Sequence, residues 1–258
     1  CVSVARDAKT VAWAGENGST VRRFTFDYAA AEEVRQEELF ERIGRPVTNA
    51  CLDGFNGTIF CYGQTGSGKT YTTFGPPPEG QDSLAEARHD RGPSTSIRSP
   101  RDAASGRERG LVPRVLEYLF ERFALQARAA KEQEGGAVEI YACRCSFYEI
   151  YNEQVFDLAV VGADKVPLNV REGADKGIFL EGLSEEEVEN AEEACEVLRR
   201  GYASRHIAST AMNSTSSRSH AVFTMVIDTA VQFLPEQQDD AAQVAGEGKT
   251  AGPSGSVR

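Results

Sequence analysis

The sequence predicts an α/β fold in which a central, mostly parallel and twisted sheet carries helices on both faces. Strand-like segments alternate along the chain with segments of helical spacing, and this alternation is typical of α/β architectures. The apolar run at 57–63 is bounded by glycines and predicts a buried strand. That run leads through a glycine-rich turn to a helix start at Lys69, which is the order of a strand–loop–helix unit.

Length and composition are those of a globular protein with a core of its own. The chain has 258 residues, of which 40% are hydrophobic and 26% charged. No apolar run approaches the roughly 18 residues of a membrane span. The net charge of −11 argues against general polyanion binding, so we expect no nucleic-acid partner. The six cysteines show no CxxC or metal-like spacing, and we expect Cys143 and Cys145 to be small core residues.

Besides the strand at 57–63, the first half of the chain predicts a strand at its start, and helices on either side of a long loop. Residues 21–26 are strand-like, and 33–52 have mostly helical spacing with Pro46 at a break or first turn. Residues 76–109 have almost no apolar periodicity, which predicts a long exposed loop. Helical spacing resumes at Leu111 and predicts an amphipathic helix.

The second half predicts strands around one capped helix. The strand-like segments are 138–158, a hairpin-like excursion at 165–183, and 221–231. Asn190, with Glu193 three residues later, has the capping-box pattern of a helix start. Residues 232–258 are low in complexity and predict a loop or tail.

A phosphate-binding motif lies between the predicted strand and helix. The run Gly63-Gln-Thr-Gly-Ser-Gly-Lys-Thr70 fits G-x-x-x-x-G-K-[ST], a pattern expected by chance in about one chain in a hundred. Its glycines allow backbone N–H groups to turn inward as an anion nest. Lys69 is expected to reach the phosphates, and the Thr70 hydroxyl to ligate Mg²⁺. The alternative is a glycine-rich turn with one exposed lysine.

A second constellation, Asn213-Ser-Thr-Ser-Ser-Arg-Ser-His220, is dense in hydroxyls. Hydroxyls ligate Mg²⁺, orient water and donate to phosphate oxygens, and an arginine neutralises developing charge or pairs with a carboxylate. Taken alone, the same run is also typical of a polar turn before a strand.

Together these two runs resemble the kinesin motor domain, with 63–70 as its P-loop and 213–220 as its first switch. Further family segments follow in the right order: Phe24–Asp27, Gly54–Phe60, Gly110–Arg114, Phe147–Glu153 and Ala208–Asn213. The resemblance runs from about Cys1 to Val231, and residues 146–158 and 217–224 look most like the twelfth kinesin family. It implies a P-loop NTPase-type sheet within a kinesin motor architecture.

The resemblance also implies roles for individual residues. Asn213 and Ser216 would approach the γ-phosphate and attacking water, and Arg218 would form a latch with a glutamate of the second switch. Thr70 and Ser217 would ligate Mg²⁺. The residues expected to bind ATP are Gly63, Gln64, Thr65, Gly66, Ser67, Gly68, Lys69, Thr70 and Tyr71. Tyr71 follows the P-loop where the family often has a residue near adenine, although a packed helix residue is an equal alternative.

By resemblance, the function is that of an ATP-hydrolysing, microtubule-based motor, plus-end directed and located on cytoplasmic microtubules, including the spindle of dividing cells. The expected partners are microtubules, and the parent protein is expected to be a coiled-coil oligomer. Arg144 lies in a strand region that approaches the track in this family, with a solvated strand arginine as the alternative. An insertion at 76–109 could tune nucleotide exchange or be a disordered addition.

The sequence departs from the family pattern at both ends. The R-x-R-P segment beside adenine and the second switch, D-x-A-G-S-E, are both missing from this chain. We therefore expect an incomplete motor domain at 1–231, followed by a tail at 232–258. Two alternatives stay open: a catalytically inactive kinesin-like fragment that binds nucleotide or tubulin without turnover, and an unrelated P-loop enzyme such as a small-molecule kinase.

Overall fold

The described part of the chain is a mixture of helices and antiparallel strands. The computed structural model describes residues 2–5, 8–15, 21–76, 108–131, 137–160, 165–174, 177–211 and 219–233. The helices are α1 (Gln36–Leu39), a π-helical turn (Phe40–Gly44), α2 (Arg45–Leu52), α3 (Lys69–Phe74), α4 (Leu111–Lys131) and α5 (Ala191–Ala211). The strands are β1 (Val2–Val4), β2 (Thr10–Ala14), β3 (Val21–Thr25), β4 (Ala137–Tyr151), β5 (Gln154–Asp157), β6 (Asn169–Gly173), β7 (Gly177–Glu181), β8 (Glu186–Val188) and β9 (Ser219–Phe233). Within these ranges no helix combines the length and the apolarity that a membrane crossing requires.

β4 is the centre of the largest sheet. β9 pairs with the whole length of β4, and β5 and β8 pair with shorter parts of it. Cys143 lies opposite both Val188 of β8 and Ile227 of β9, so these two strands flank β4 on opposite edges. The other described sheets are the three-stranded β1–β2–β3 and the hairpin β6–β7.

The prediction of a mostly parallel sheet is wrong for the described strands, because all their pairings are antiparallel. β8 and β9 each run antiparallel to β4 and are therefore parallel to each other, with α5 joining them. The alternation of strand, helix and strand does form a crossover. The strand that lies between β8 and β9 is β4, however, and local sequence does not reveal which strand is inserted there.

The predicted buried strand at 57–63 is also wrong in the described structure. No described strand pairs with this segment, and its backbone is irregular. Phe60 is 83% exposed and Tyr62 is 95% exposed. An apolar run becomes a buried strand only when neighbouring strands supply its hydrogen bonds and cover both of its faces. Among the described residues, no strand does so here.

Both long helices pack on one face of the β4 sheet. Their shared core contains Leu116, Leu119, Phe123, Cys143, Cys145, Val188, Ala194 and Val197. Ile140, on the opposite face of β4, is 46% exposed. The prediction of helices on both faces is therefore not met in the described part of the chain, because α2 and α3 pack against α4 rather than against that opposite face.

The local predictions for single elements are largely confirmed. A continuous helical run spans 36–52, with Pro46 in the first turn of α2 after the π-helical turn. The helix predicted at Leu111 and the hairpin predicted within 165–183 are both present. Of the predicted loop at 76–109, residues 77–107 lie outside the described residues, as do 234–258 of the predicted tail.

The predicted capping box at the start of α5 is confirmed. The backbone N–H of Glu193 donates to Asn190 Oδ1 at 2.9 Å. In return, the Glu193 carboxylate accepts from the backbone N–H of Glu189 at 2.8 Å. These two bonds satisfy donors that have no partner within the helix, and they fix where α5 begins.

Three cysteine thiols lie in or beside the core, as predicted for Cys143 and Cys145. Burial raises the pKa of Cys143 to about 11 and that of Cys145 to about 12. Burial likewise raises the pKa of Cys195 to about 11. Among the described residues these cysteines are free thiols, as are the half-buried Cys51 and Cys61. The buried thiols therefore stay protonated in the folded chain at neutral pH.

We expect a small thiol reagent at about pH 8 to label Cys61 and Cys51 well before Cys143, Cys145 and Cys195, because the thiolate is the reactive form. The measurement is a time course of labelling read by peptide mass spectrometry, with Cys61→Ser as the control for the first site. The buried thiols should also make the folded state less stable as the pH rises above the ordinary thiol value of 9.0, since the unfolded thiols ionise first. Equal labelling of Cys51, Cys61, Cys143, Cys145 and Cys195 in the folded chain would contradict this expectation.

Candidate phosphate-binding site

The turn at 63–70 is shaped by two glycines with left-handed backbone angles. Gly66 has a φ of +80° and Gly68, which caps the start of α3, has a φ of +89°. A Cβ atom added at either position would meet nothing within 4 Å. The requirement for glycine is therefore set by the backbone angle, and the space beside the loop is open. This is the kind of exposed main-chain cradle in which a phosphate group fits.

Lys69 brings a positive charge over this turn. Its Nζ donates to the carbonyl oxygen of Gly63 at 2.8 Å and to that of Gln64 at 2.6 Å. The backbone N–H of Ser67 also donates to the Gln64 carbonyl, at 3.2 Å. The lysine thus folds back over the loop that precedes its own helix. An anion that enters the cradle lies within reach of this ammonium group, which would exchange carbonyl partners for phosphate oxygens.

Side chains from distant parts of the chain hold α3 in place. The Gln36 amide donates to the Tyr71 carbonyl at 2.6 Å, and Gln36 itself is only 5% exposed. The Thr73 hydroxyl donates to the Lys69 carbonyl at 2.8 Å, and its oxygen lies 3.2 Å from Cys61 Sγ. Sequence analysis did not single out Gln36, because a glutamine near a helix start has no pattern that indicates a partner 35 residues away.

The far end of α3 is anchored by aromatic packing. The Phe74 ring lies 6.3 Å from the Phe147 ring and 5.5 Å from the Tyr202 ring, measured between centroids. Phe147 is 1% exposed and belongs to the core formed with Leu158 and Leu198. A helix of six residues has little stability of its own. Its position, and with it the position of Lys69, therefore depends on these contacts.

The chain closes on itself just after α3. Gly75 has a φ of +97°, and a Cβ added at Gly110 would lie 2.5 Å from the backbone nitrogen of Gly75. The two backbones approach so closely that side chains at these positions would clash. Gly75 and Gly110, which flank the predicted 76–109 insertion, therefore lie together between the end of α3 and the start of α4.

The remaining predicted nucleotide ligands are exposed around the turn. Four of them are exposed to solvent: Gln64, Thr65, Ser67 and Thr70. Tyr71 is 46% exposed, which leaves its ring accessible beside the loop rather than packed in the core. In the described part of the chain, no group of three or more His, Cys, Asp or Glu side chains is arranged to hold a metal ion.

The second predicted constellation lies mostly outside the described residues. Asn213, Ser216, Ser217 and Arg218 all fall within 212–218, so the structure does not place them relative to the turn at 63–70. The predicted pairing of Thr70 with Ser217 as magnesium ligands stays a prediction. The described residues on either side of this segment are the end of α5 and Ser219, the first residue of β9.

A buried ion pair connects the two elements that flank this segment. Arg205 of α5 donates from Nε to the Glu149 carboxylate of β4 at 3.0 Å. The same guanidinium donates from Nη2 to the Ser219 hydroxyl at 2.7 Å and to the Ser219 carbonyl at 3.3 Å. The side chains of Arg205 and Glu149 are only 18% and 11% exposed. Sequence analysis missed both residues, since they are 56 positions apart.

Arg144, the predicted track contact, forms two ion pairs on the face of the sheet opposite the helices. Its guanidinium lies 3.0 Å from Glu185 and 2.9 Å from Asp228. The side chain is 37% exposed. Both alternatives for Arg144 remain open, because a half-exposed arginine of this kind can exchange partners at little cost.

Comparisons with known proteins place these features in a family. A family model described as the kinesin motor domain matches residues 2–245. Kinesin-like protein KIF15 of Rattus norvegicus is 40% identical over 208 residues, which is 81% of this chain and 13% of that protein. KIF15 of Strongylocentrotus purpuratus is 41% identical over 206 residues, covering 80% of this chain and 12% of that protein. Kinesin-like protein KIN-12B of Arabidopsis thaliana is 42% identical over 207 residues, covering 80% and 14% respectively. The chain thus spans about an eighth of the length of these relatives.

Proposed function

The chain belongs to the kinesin motor domain family, and from this premise we propose that it is part of an ATP-hydrolysing motor that moves along microtubules. The single observation that carries the proposal is the turn at 63–70, where an open glycine cradle lies beneath the Lys69 ammonium group. The names KIF15 and KIN-12 among the relatives agree with the predicted likeness to the twelfth kinesin family.

The residues of the turn fit a nucleotide triphosphate. Backbone N–H groups of 63–70 would bind the phosphates, and Lys69 would neutralise charge on the two outer ones. Thr70, with Ser217, would hold Mg²⁺, which when bound neutralises charge on the transferred phosphoryl group. Tyr71 is exposed beside the loop, where its ring would face the base. Asn213 and Ser216 would orient the attacking water, and Arg218 would act as the latch.

In this proposal, most of the protein's contribution is positioning. Phosphoryl transfer to water requires an in-line arrangement and stabilisation of charge on the phosphoryl oxygens, with little covalent chemistry for the protein. The contacts of Gln36 and Phe74 hold the Lys69 helix. Arg205 of α5 holds Ser219, the first residue of β9, and pairs with Glu149 of β4. We therefore assign Gln36, Phe74 and Arg205 as positioning residues.

The partner of the proposed motor is the microtubule. Tubulin is acidic, so several basic contacts would share the binding, and Arg144 is one candidate after release from its carboxylate partners. Movement towards the plus end, a coiled-coil oligomer formed by other parts of the parent protein, and a place on cytoplasmic or spindle microtubules are further parts of the same proposal.

The test is ATP binding and turnover, with and without microtubules, in this chain and in the parent motor. We expect the parent to hydrolyse ATP with microtubule stimulation and Lys69→Ala to abolish nucleotide binding in both, because the only ammonium group of the turn is removed. Lys9→Ala, which removes an exposed lysine elsewhere, is the matched control and should leave binding unchanged.

We expect this chain by itself to turn over ATP negligibly. In the described structure the segment before the turn lacks strand partners, and Phe60 and Tyr62 are exposed to water. If the parent also fails to hydrolyse ATP while it folds and binds nucleotide, the motor proposal is wrong and a binding-only kinesin relative is the better account. Turnover by this chain at the rate of the parent would refute the expectation for the fragment.

A further inference from the structure

A small cavity lies beside a half-buried lysine, remote from the phosphate turn in sequence. It has a volume of about 210 Å³ and is lined by Asp157, Val160, Lys165, Val166, Leu168 and Gly182. An engineered apolar cavity of about 150 Å³ is large enough to bind benzene. Three of the lining side chains are aliphatic, and two of them, Val160 and Val166, are 46% and 76% exposed. The cavity is therefore open to solvent, with aliphatic side chains beside one amine.

The amine has an unusual partner. Lys165 Nζ donates to the Ser204 hydroxyl at 2.6 Å, and Ser204 is 5% exposed. The Ser204 hydroxyl in turn donates to the Val160 carbonyl at 3.4 Å. This lysine therefore donates to a neutral hydroxyl. A surface lysine, by contrast, keeps its ammonium group in water.

The nearest carboxylates are committed to other donors. The two oxygens of Asp157 accept the backbone N–H groups of Ala159 and Ser184, each at 2.8 Å. Glu149 accepts from Arg205 at 3.0 Å. Burial lowers the pKa of Lys165, and the charges of Glu149 and Asp157 act in the opposite direction without reversing the shift. The fraction of neutral amine is therefore larger than in an exposed lysine.

From the cavity, its aliphatic lining and the half-buried amine, we infer that Lys165 is a site of acylation by short-chain acyl thioesters. The acyl chain would lie against Val160, Val166 and Leu168, with the carbonyl carbon presented to Nζ. The neutral amine attacks that carbon, a C–N bond forms, the C–S bond breaks, and the thiol leaves after the amine proton passes to solvent base. The product is an amide, and no oxidant or reductant is needed.

Acylation would remove one positive charge and leave a single amide N–H in place of the ammonium donor to Ser204. Ser204 directly precedes Arg205 in α5, and the Arg205 guanidinium donates to the Ser219 hydroxyl. A modified Lys165 would thus change the environment of the helix that carries the positioning arginine. The inference stands on the cavity itself and does not depend on the proposed motor activity.

The experiment treats the folded chain with butyryl coenzyme A at about pH 8 and measures initial acylation rates at each lysine by peptide mass spectrometry. The chain has six lysines: Lys9, Lys69, Lys131, Lys165, Lys176 and Lys249. We expect Lys165 to react faster than the exposed Lys9, because burial favours the neutral, nucleophilic form of its amine. In denaturant the two rates should become equal.

Two variants test the role of the cavity. Leu168→Phe narrows it and should reduce butyrylation of Lys165 selectively, whereas Lys165→Arg should remove the site and leave the other five lysines unchanged. Circular dichroism checks that both variants fold. A rate at Lys165 no greater than that at Lys9 in the folded chain, or a preference for Lys165 that persists in denaturant, would overturn the inference.

Discussion

Replacing Phe147 with alanine is expected to lower the free energy of unfolding by about 3–5 kcal/mol, the usual cost of removing a buried phenylalanine. Phe147 is 1% exposed and packs against Leu158 and Leu198. Its ring also meets Phe223 at a centroid distance of 5.7 Å and Phe74 at 6.3 Å. Truncation therefore opens a cavity between the sheet, α5 and the end of α3.

The same substitution should also make α3 and the adjoining turn at 63–70 less stable. Phe74 loses one of its two aromatic neighbours, so α3 frays more often and its amide hydrogens exchange faster. Chemical denaturation gives the unfolding free energy, and hydrogen exchange reports on α3 separately. Phe60→Ala is the matched control, because Phe60 is 83% exposed and its loss should change stability little. A similar loss in both variants would contradict the assignment of Phe147 to the core.

A substitution at Gly201 tests how closely α5 packs against the Phe147 ring. Gly201 of α5 lies so close that an added Cβ would be 2.2 Å from Phe147 Cδ1. Gly201→Ala alone should destabilise by overpacking, typically about 1–3 kcal/mol, less the roughly 1 kcal/mol that alanine gains over glycine in a helix. In the double variant with Phe147→Ala, the new methyl group has room because the ring is absent. The double variant should therefore lose less unfolding free energy than the sum of the losses in the two single variants.

Replacing Arg205 with methionine is expected to cost about 3–5 kcal/mol of stability, because it leaves the buried Glu149 carboxylate without its partner. Only 11% of the Glu149 side chain is exposed. The substitution also removes both hydrogen bonds to Ser219. The effect is measured by chemical denaturation, and hydrogen exchange at the start of β9 tests the loss of the Ser219 contacts.

Two controls separate charge from packing. Glu149→Gln combined with Arg205→Met removes both charges and should recover most of the stability, since no buried ion is left unpaired. Arg171→Met breaks the ion pair with Glu181, whose side chains are 57% and 54% exposed, and should leave stability almost unchanged. If the double variant is as unstable as Arg205→Met, the loss arises from packing and the ion pair is not its cause.

Predictions that rest on neighbouring residues agree with the structure. The Asn190–Glu193 capping box involves residues three positions apart, and the backbone angles at Gly66 and Gly68 are local requirements of the turn. Helical spacing located α4, because apolar residues at intervals of three and four lie on one face of a helix. Such patterns are visible in sequence since their partners lie within one or two turns.

Predictions about which elements meet were less successful. The strand 57–63 was expected in a parallel sheet, yet the described strands pair only antiparallel and none of them pairs with it. The alternation of strand and helix around α5 was read correctly. This alternation does not predict that β4, and not another strand, lies between β8 and β9. Strand order depends on contacts between residues far apart in the chain, and similar apolar patterns suit several arrangements.

The sequence by itself determined the phosphate turn, its lysine, the helix starts and the family to which the chain belongs. Each of these depends on residue types at short, regular spacing, which set backbone angles and the direction of a few hydrogen bonds. Only the tertiary structure decided which partners Gln36, Phe147 and Arg205 contact. These residues act across separations of 35 to 56 positions or through a shared core. Folding brings such partners together because burying their surfaces and pairing their charges is favourable only in the complete arrangement.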